Sequence, residues 1–296
     1  MPAHLVSQAD LESLEAEVEG ALRSGRDSAL RVLGWGEISL VLGSPFDAPE
    51  AACKRLPVFK TRERFDAYAS AIEDYIAVLQ QAGIVVVETE VRSVERHDGI
   101  AAYVVQPVLP RETLAVSILS SSDPRAGHPI VESVIHAVAE AVRPTLALDS
   151  QISNWTWNDG RLRYFDVTTP LFWSVDGSSR LDVDLLTQAL PWALRGMVRR
   201  FAVPGILDRY RKLRMVLIDL CANLIKERLA PWIPAFIDNA NRHLDEPITE
   251  EECRKYYRAD ALLWEFMLRI RRLDRAWQQS IRHRPYPYLL PKSIER

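Results

Sequence analysis

The hydrophobic period of this sequence changes along its length, and that change limits the fold more than any other feature. Between residues 29 and 106 apolar residues come in short runs (30–32, 38–42, 51–56, 85–94 and 101–106), cut by Gly34-Trp35-Gly36, Gly43-Ser44-Pro45 and His97-Asp98-Gly99. Runs this short, bounded by glycine and proline turns, predict strands. One helix interrupts them. From Thr61 to Ala82 the residues Phe65, Tyr68, Ile72, Ile76 and Leu79 recur at three- and four-residue steps, and Gly83 stands where a helix-ending glycine belongs. An amphipathic helix carrying Leu11, Leu14, Val18, Ala21 and Leu22 precedes the strands. After Pro129 the period is helical over 130–142, residues 155–166 read as a hairpin turning at Asn158-Asp159-Gly160, and from Asp182 onward nearly every window is helical. Strands gathered in one part of the chain and helices in another predict an α+β fold and argue against a doubly wound parallel sheet. The divisions expected are 1–28, 29–106 and 107–296.

Charge and cysteine usage exclude several classes of function. A formal net charge of -3 with a pI near 6.1 offers no general attraction for nucleic acid or for an anionic membrane. The basic clusters at 195–200, 209–214 and 269–284 are interleaved with Asp208, Asp219, Asp260 and Asp274, and read as solvated helix faces. No stretch approaches 18 uncharged apolar residues, and the nearest, 215–225, contains Asp219. Cys53, Cys221 and Cys253 have neither disulfide nor metal spacing, which suits a reducing, cytoplasmic setting. The segment Arg284-Pro285-Tyr286-Pro287-Tyr288 is expected to dock in extended form on the helical part.

Against this background a few polar residues stand out. Gly34 and Gly36 let a turn between two strands bring its N–H groups close to an anion, although a plain β-turn explains the pair equally well. Ser39 occupies the place where a third glycine would stand. Lys54 lies 18 residues after Gly36, on the third strand, where the ordinary expectation is a solvent-facing side chain. A lysine aimed into a cleft can pair with phosphate oxygens if a carboxylate holds it. Glu73, 19 residues on, is the candidate, with Glu63, Asp66 and Asp74 as competitors. Asp149 is followed by Asn154 five residues later and by Asp166 twelve beyond that, at the end of an apolar strand. Two aspartates and an amide oxygen joined by one short hairpin meet the needs of phosphoryl transfer, an acceptor-orienting carboxylate and hard ligands for Mg²⁺. Asx-capped turns are the competing explanation.

In order and spacing these elements resemble the protein-kinase-like superfamily, particularly its aminoglycoside- and choline-kinase-like branch. The chain is also similar to an actinobacterial kinase-like family with no assigned substrate. The motif resemblance spans about residues 30–170. It implies a two-lobed fold, with a small antiparallel-sheet lobe carrying one inserted helix and a larger helical lobe holding a catalytic and metal loop over 146–170. It further implies ATP and Mg²⁺. Gly34, Gly36 and Ser39 would cover the phosphates, Lys54 would contact them while paired to Glu73, and the linker around Gln106 and Val108 would face adenine. Asn154 and Asp166 would hold Mg²⁺, and Asp149 would orient a hydroxyl of a small-molecule acceptor. The sequence departs from the pattern at Ala147-Leu148, where the family's usual histidine is missing, and at Thr168, which replaces a glycine. The missing histidine keeps a rival in view, a weak or inactive nucleotide-binding scaffold with a protein partner. No nucleic-acid or membrane partner is expected.

Overall fold

The computed structural model describes residues 4–24, 30–36, 39–188 and 190–281. Ile38, expected to open the second strand, and the segment from Arg284 to Tyr288 lie outside them. Helix α1 (Gln8–Ser24) is followed by strands β1 (Val32–Trp35), β2 (Leu40–Ser44) and β3 (Ala51–Arg55), then helix α2 (Arg62–Gln81), then β4 (Glu90–Arg96) and β5 (Gly99–Pro107). These strands form one antiparallel sheet in the order β1-β2-β3-β5-β4. Helices α3 (Ala115–Ser120) and α4 (Pro129–Ala141) lead to a hairpin of β6 (Trp155–Asn158) and β7 (Arg161–Tyr164). The elements described after it are helices: α5 (Val183–Thr187), α6 (Trp192–Met197), α7 (Val203–Tyr210), α8 (Leu213–Lys226), α9 (Ile233–Ala240) and α10 (Glu250–Ser280). The fold is α+β. No helix among the described residues is long and apolar enough to cross a membrane.

Helix α2 starts where Thr61 caps it, the threonine hydroxyl accepting from the Arg64 N–H at 3.3 Å. It stops at Gly83, whose φ of +85° is open to glycine at no steric cost, while the Ile84 N–H closes the end onto the Leu79 carbonyl at 3.0 Å. Its buried stripe is Phe65, Tyr68, Ala71, Ile72, Tyr75 and Leu79. This stripe packs on one face of the sheet, with Leu56, Ala102 and Val104, and is continuous with the apolar faces of α4, α8 and α9. Each large side chain buried this way contributes roughly 1.5–3 kcal/mol.

The other face of the sheet is closed by α1. Leu11, Leu14, Val18 and Ala21 pack on Leu40, Leu42, Cys53, Tyr103 and Val105. The helix therefore belongs to the sheet's own core. Strand alternation divides β3 between the two faces: Ala51, Cys53 and Arg55 are buried under α1, and Ala52 and Lys54 turn to the α2 side. Arg55 reaches Glu15 of α1 through two hydrogen bonds of 2.7 and 2.8 Å, and Tyr103 and Arg96 complete the carboxylate's partners.

One expected strand is divided. Residues 85–94 read as a single run, yet β4 begins at Glu90, because residues 85–87 leave the sheet to pair with β7. The Tyr164 N–H donates to the Val85 carbonyl at 2.8 Å, and the Val87 N–H donates to the Tyr164 carbonyl at 2.9 Å. Here the sheet meets the hairpin that carries the second half of the site.

Candidate functional site

Lys54 points from β3 to the start of the loop after β7. Its ammonium donates to Asp166 Oδ1 at 2.8 Å and to Thr168 Oγ1 at 2.7 Å. The Thr168 hydroxyl donates to the same carboxylate oxygen at 2.7 Å, and its N–H approaches that oxygen at 3.3 Å. Burial pushes the Asp166 carboxyl up, but the adjacent Lys54 charge and the donors from Lys54 and Thr168 outweigh it and hold the group below its usual range. All these donors converge on Oδ1, so Oδ2 faces away from them.

Lys54 does not pair with Glu73, and this corrects the expectation. Glu73 is exposed on α2. The buried stripe is centred on Ile72 and Tyr75, and a helix turns about 100° per residue, so Glu73 is carried round to solvent. The face of α2 toward the loops presents tyrosines. Tyr68 donates to the Thr168 carbonyl at 2.9 Å, and Tyr75 donates to the Ala147 carbonyl at 2.8 Å. Asp74, another competitor for Lys54, pairs instead with Arg180.

Asp149 and Asn154 lie on one tight loop. The Asn154 amide nitrogen donates to the Asp149 carbonyl at 3.1 Å, which turns its amide oxygen the other way. The Asp149 carboxylate is held by Gln151, through the backbone N–H to Oδ1 at 3.3 Å and Nε2 to Oδ2 at 3.2 Å. Gln151 in turn accepts from Lys226 Nζ, at the end of α8, at 3.1 Å. Neighbouring contacts secure the loop: Trp155 Nε1 donates to the Ser150 carbonyl at 3.2 Å, and the Ser153 N–H donates to Glu227 at 2.8 Å. The Asp149 carboxyl is raised from its ordinary value by desolvation and by the Asp166 charge, with Gln151 and Lys226 pulling the other way. Asp219, on the next-to-last turn of α8, is pushed up to about 8 by burial and by Asp149.

The outer parts of the expected nucleotide site are mixed. Gly36 and Ser39 close the β1–β2 hairpin, the Gly36 N–H donating to the Ser39 carbonyl at 3.0 Å. A Cβ on Gly36 would stand 2.3 Å from the Ser39 hydroxyl oxygen, so a side chain there would require the Ser39 hydroxyl to swing away. At Gly34 the nearest atoms are Val41 carbons at 3.9 Å, and the site does not demand glycine. Gln106 is the next-to-last residue of β5, and its side chain bridges Thr89 at 2.9 Å and the Phe165 carbonyl at 2.8 Å, tying the linker to the Asp166 loop. The Val108 N–H donates to the Glu50 carbonyl at 2.8 Å, so of this linker residue's backbone groups only the carbonyl is left to face adenine. Asp182 and Asp184 are engaged by Arg64 and Arg199 on the surface.

Residues 13–275 match the model of a family of unknown function (DUF6206). The chain belongs to this family. No curated protein matches the sequence. Every residue of the candidate site, from Gly34 to Lys226, lies inside the matched span.

Within this DUF6206 member the arrangement joins one cation, Lys54, to two carboxylates and an amide. Among the described residues no group of three or more His, Cys, Asp or Glu side chains is arranged to hold a metal by itself. The oxygens turned away from protein donors are Asp166 Oδ2 and Asn154 Oδ1. That supply fits a cation which takes one or two protein oxygens and completes its shell with water and phosphate, as Mg²⁺ does. Sequence reasoning missed four contributors. Thr168 looked like a departure from the pattern, yet its hydroxyl belongs to the site. Gln151 could have been suspected from its place two residues after Asp149. Asp219 had a signal, a lone acid in an apolar helix. Lys226 had none.

Proposed function

We propose that this DUF6206 chain is a protein-kinase-like, two-lobed, ATP- and Mg²⁺-dependent phosphotransferase acting on a hydroxyl of a small molecule. The observation that carries the reading is the convergence of Lys54 with Asp149, Asn154 and Asp166, from two distant stretches of sequence, on one part-buried site, with Lys54 Nζ 2.8 Å from Asp166. The element order supports it too: a lysine strand, then a helix, then two strands, then a loop bearing Asp149 and Asn154 and a hairpin ending at Asp166.

In this reading Lys54 binds phosphate oxygens, and the Gly36–Ser39 hairpin closes over them. Asn154 and Asp166 would hold Mg²⁺, which when bound neutralises charge developing on the phosphates. Asp149 accepts a hydrogen bond from the acceptor hydroxyl and aims its oxygen at the γ-phosphorus. The new P–O bond forms as the bond to the ADP oxygen breaks, and the hydroxyl proton passes to the carboxylate. The raised basicity of Asp149, from desolvation and Asp166, suits a group that must take a proton.

One observation favours a second reading, a nucleotide-binding module without turnover. Lys54 is closed onto Asp166, the carboxylate that metal would need, with no carboxylate from α2 to draw it off. A thermal-shift titration with ATP, with and without Mg²⁺, tests both. Ligand at 100 times its Kd should stabilise the protein by about 2.7 kcal/mol. Absence of any Mg²⁺-dependent shift overturns the phosphotransferase. A shift without ATP turnover selects the module.

A further inference from the structure

We infer that Lys226 and Gln151 are positioning residues for Asp149, with Lys226 acting through the Gln151 amide. This deepens the phosphotransferase reading and rests on it.

The geometry is a short relay from α8 into the loop. Lys226 Nζ donates to Gln151 Oε1 at 3.1 Å, and Gln151 Nε2 donates to Asp149 Oδ2 at 3.2 Å. A glutamine between an ammonium and a carboxylate is satisfied in one orientation only. Its oxygen must face the cation and its NH₂ the anion; flipped, both contacts become repulsive. Lys226 therefore fixes the amide's polarity, and the amide fixes the carboxylate's rotation. The backbone N–H of Gln151 reaches the other oxygen, Oδ1, at 3.3 Å, a contact any residue at that position offers. The side chain supplies the second anchor, so both oxygens are gripped from the loop side and their remaining lone pairs face outward.

The carboxylate needs that second anchor because its surroundings push it away. The Asp166 charge bears on it, and Lys54, the cation of the β3 side, is committed to Asp166. The relay is also stiffly mounted. Glu227, the residue after Lys226, accepts from the Ser153 N–H at 2.8 Å, so the end of α8 grips the loop at Gln151 and again two residues on. The missing histidine before Asp149 is thus offset from outside the loop, by α8 on one side and by Tyr75 of α2, which holds the Ala147 carbonyl, on the other.

The test uses the full chain with Mg²⁺-ATP and water as acceptor, reading ATP hydrolysis at saturating nucleotide and the KM for ATP. Gln151→Ala and Lys226→Met should each lower kcat by about tenfold or more, the scale of a misaimed base, with KM for ATP held within about twofold. The double variant should be no slower than Gln151→Ala alone, because the lysine acts through the glutamine. Lys226→Arg, which keeps the charge and a donor, should recover most of the rate. Should Lys226→Met not fold, Gln151→Ala alone carries the test. Effects that multiply in the double variant, wild-type rates in either single variant, or a loss carried by KM would overturn the relay while leaving the phosphotransferase intact. A wild-type chain that binds Mg²⁺-ATP without hydrolysing it overturns both.

Discussion

Lys54 and Arg55 are neighbours on β3, and each meets a carboxylate from a distant part of the chain, yet the two pairs are built for different ends. On the α1 face, Arg55 and Glu15 are 8% and 3% exposed, joined by a two-pronged contact, with Tyr103 and Arg96 filling the carboxylate's remaining positions. On the α2 face, Lys54 and Asp166 are 20% and 24% exposed, and every donor falls on one carboxylate oxygen. A guanidinium fork matched to a carboxylate makes a closed pair with nothing left to offer. An ammonium on a flexible stem, sharing one oxygen, can be drawn off by a stronger anion, and it leaves the second oxygen for a ligand. Strand alternation is what separates a structural pair from a candidate functional one at adjacent residues.

The largest effect should come from breaking the closed pair. Glu15→Ala leaves Arg55 buried without its counter-charge and should cost about 3–5 kcal/mol, read as a lower midpoint in urea unfolding. Glu15 also sets a pH limit. Burial pushes its carboxyl up, but Arg55, Tyr103 and Arg96 outweigh that and hold it low, so the stability it contributes is present above its unfolded value and lost on acidification.

Lys54→Met should be milder for stability, about 1 kcal/mol or less, because the pair is part-exposed. The same change should remove the Mg²⁺-dependent thermal shift with ATP. A stability loss as large as that of Glu15→Ala would show that Lys54 is structural after all.

A third carboxyl sharpens the contrast through the opposite pH sign. Asp219 is held by Tyr256, and its carboxyl is raised from 3.8 to about 8 by burial and by Asp149. The folded chain then binds a proton that the unfolded chain has released, so this group makes stability fall as pH rises from about 4 through 8. Asp219→Asn should flatten that part of the curve, as measured by melting temperature across the range. An unchanged slope would mean that Asp219 titrates normally.

The smallest effect belongs to Glu73→Ala. An exposed residue with no role in holding Lys54 should change stability by less than about 0.5 kcal/mol and leave ATP binding intact. Loss of nucleotide binding in this variant would restore the pairing that the resemblance implied.

Much of this molecule was legible from residue patterns. Thr61 and Gly83 bound α2, the Asn158-Asp159-Gly160 turn sits in the β6–β7 hairpin, and β2, β3 and β5 appear near their expected places, while β1 runs through Gly34-Trp35, where a turn was expected. Asp149, Asn154 and Asp166 were readable because one loop and one hairpin, close in sequence, bring them together. The errors are errors of phase and of distance. Counting Ile76 in the stripe of α2 in place of Tyr75 turned the inferred buried face toward Glu73. Reading 85–94 as one strand overlooked the pairing of residues 85–87 with Tyr164, a partner nearly eighty residues on.

By itself, then, the sequence determined the order of strands and helices and the α+β class, because those follow from local period and from glycine and proline at the breaks. It also determined which polar residues stand at the ends of those elements. Only the tertiary structure decided that Lys54 meets Asp166 and Thr168, that tyrosines of α2 hold the loops, and that Lys226 reaches Asp149 through Gln151. Those contacts join residues 72 to 114 positions apart, or belong to chains of them, and depend on how packed faces rotate against one another, which no local periodicity records.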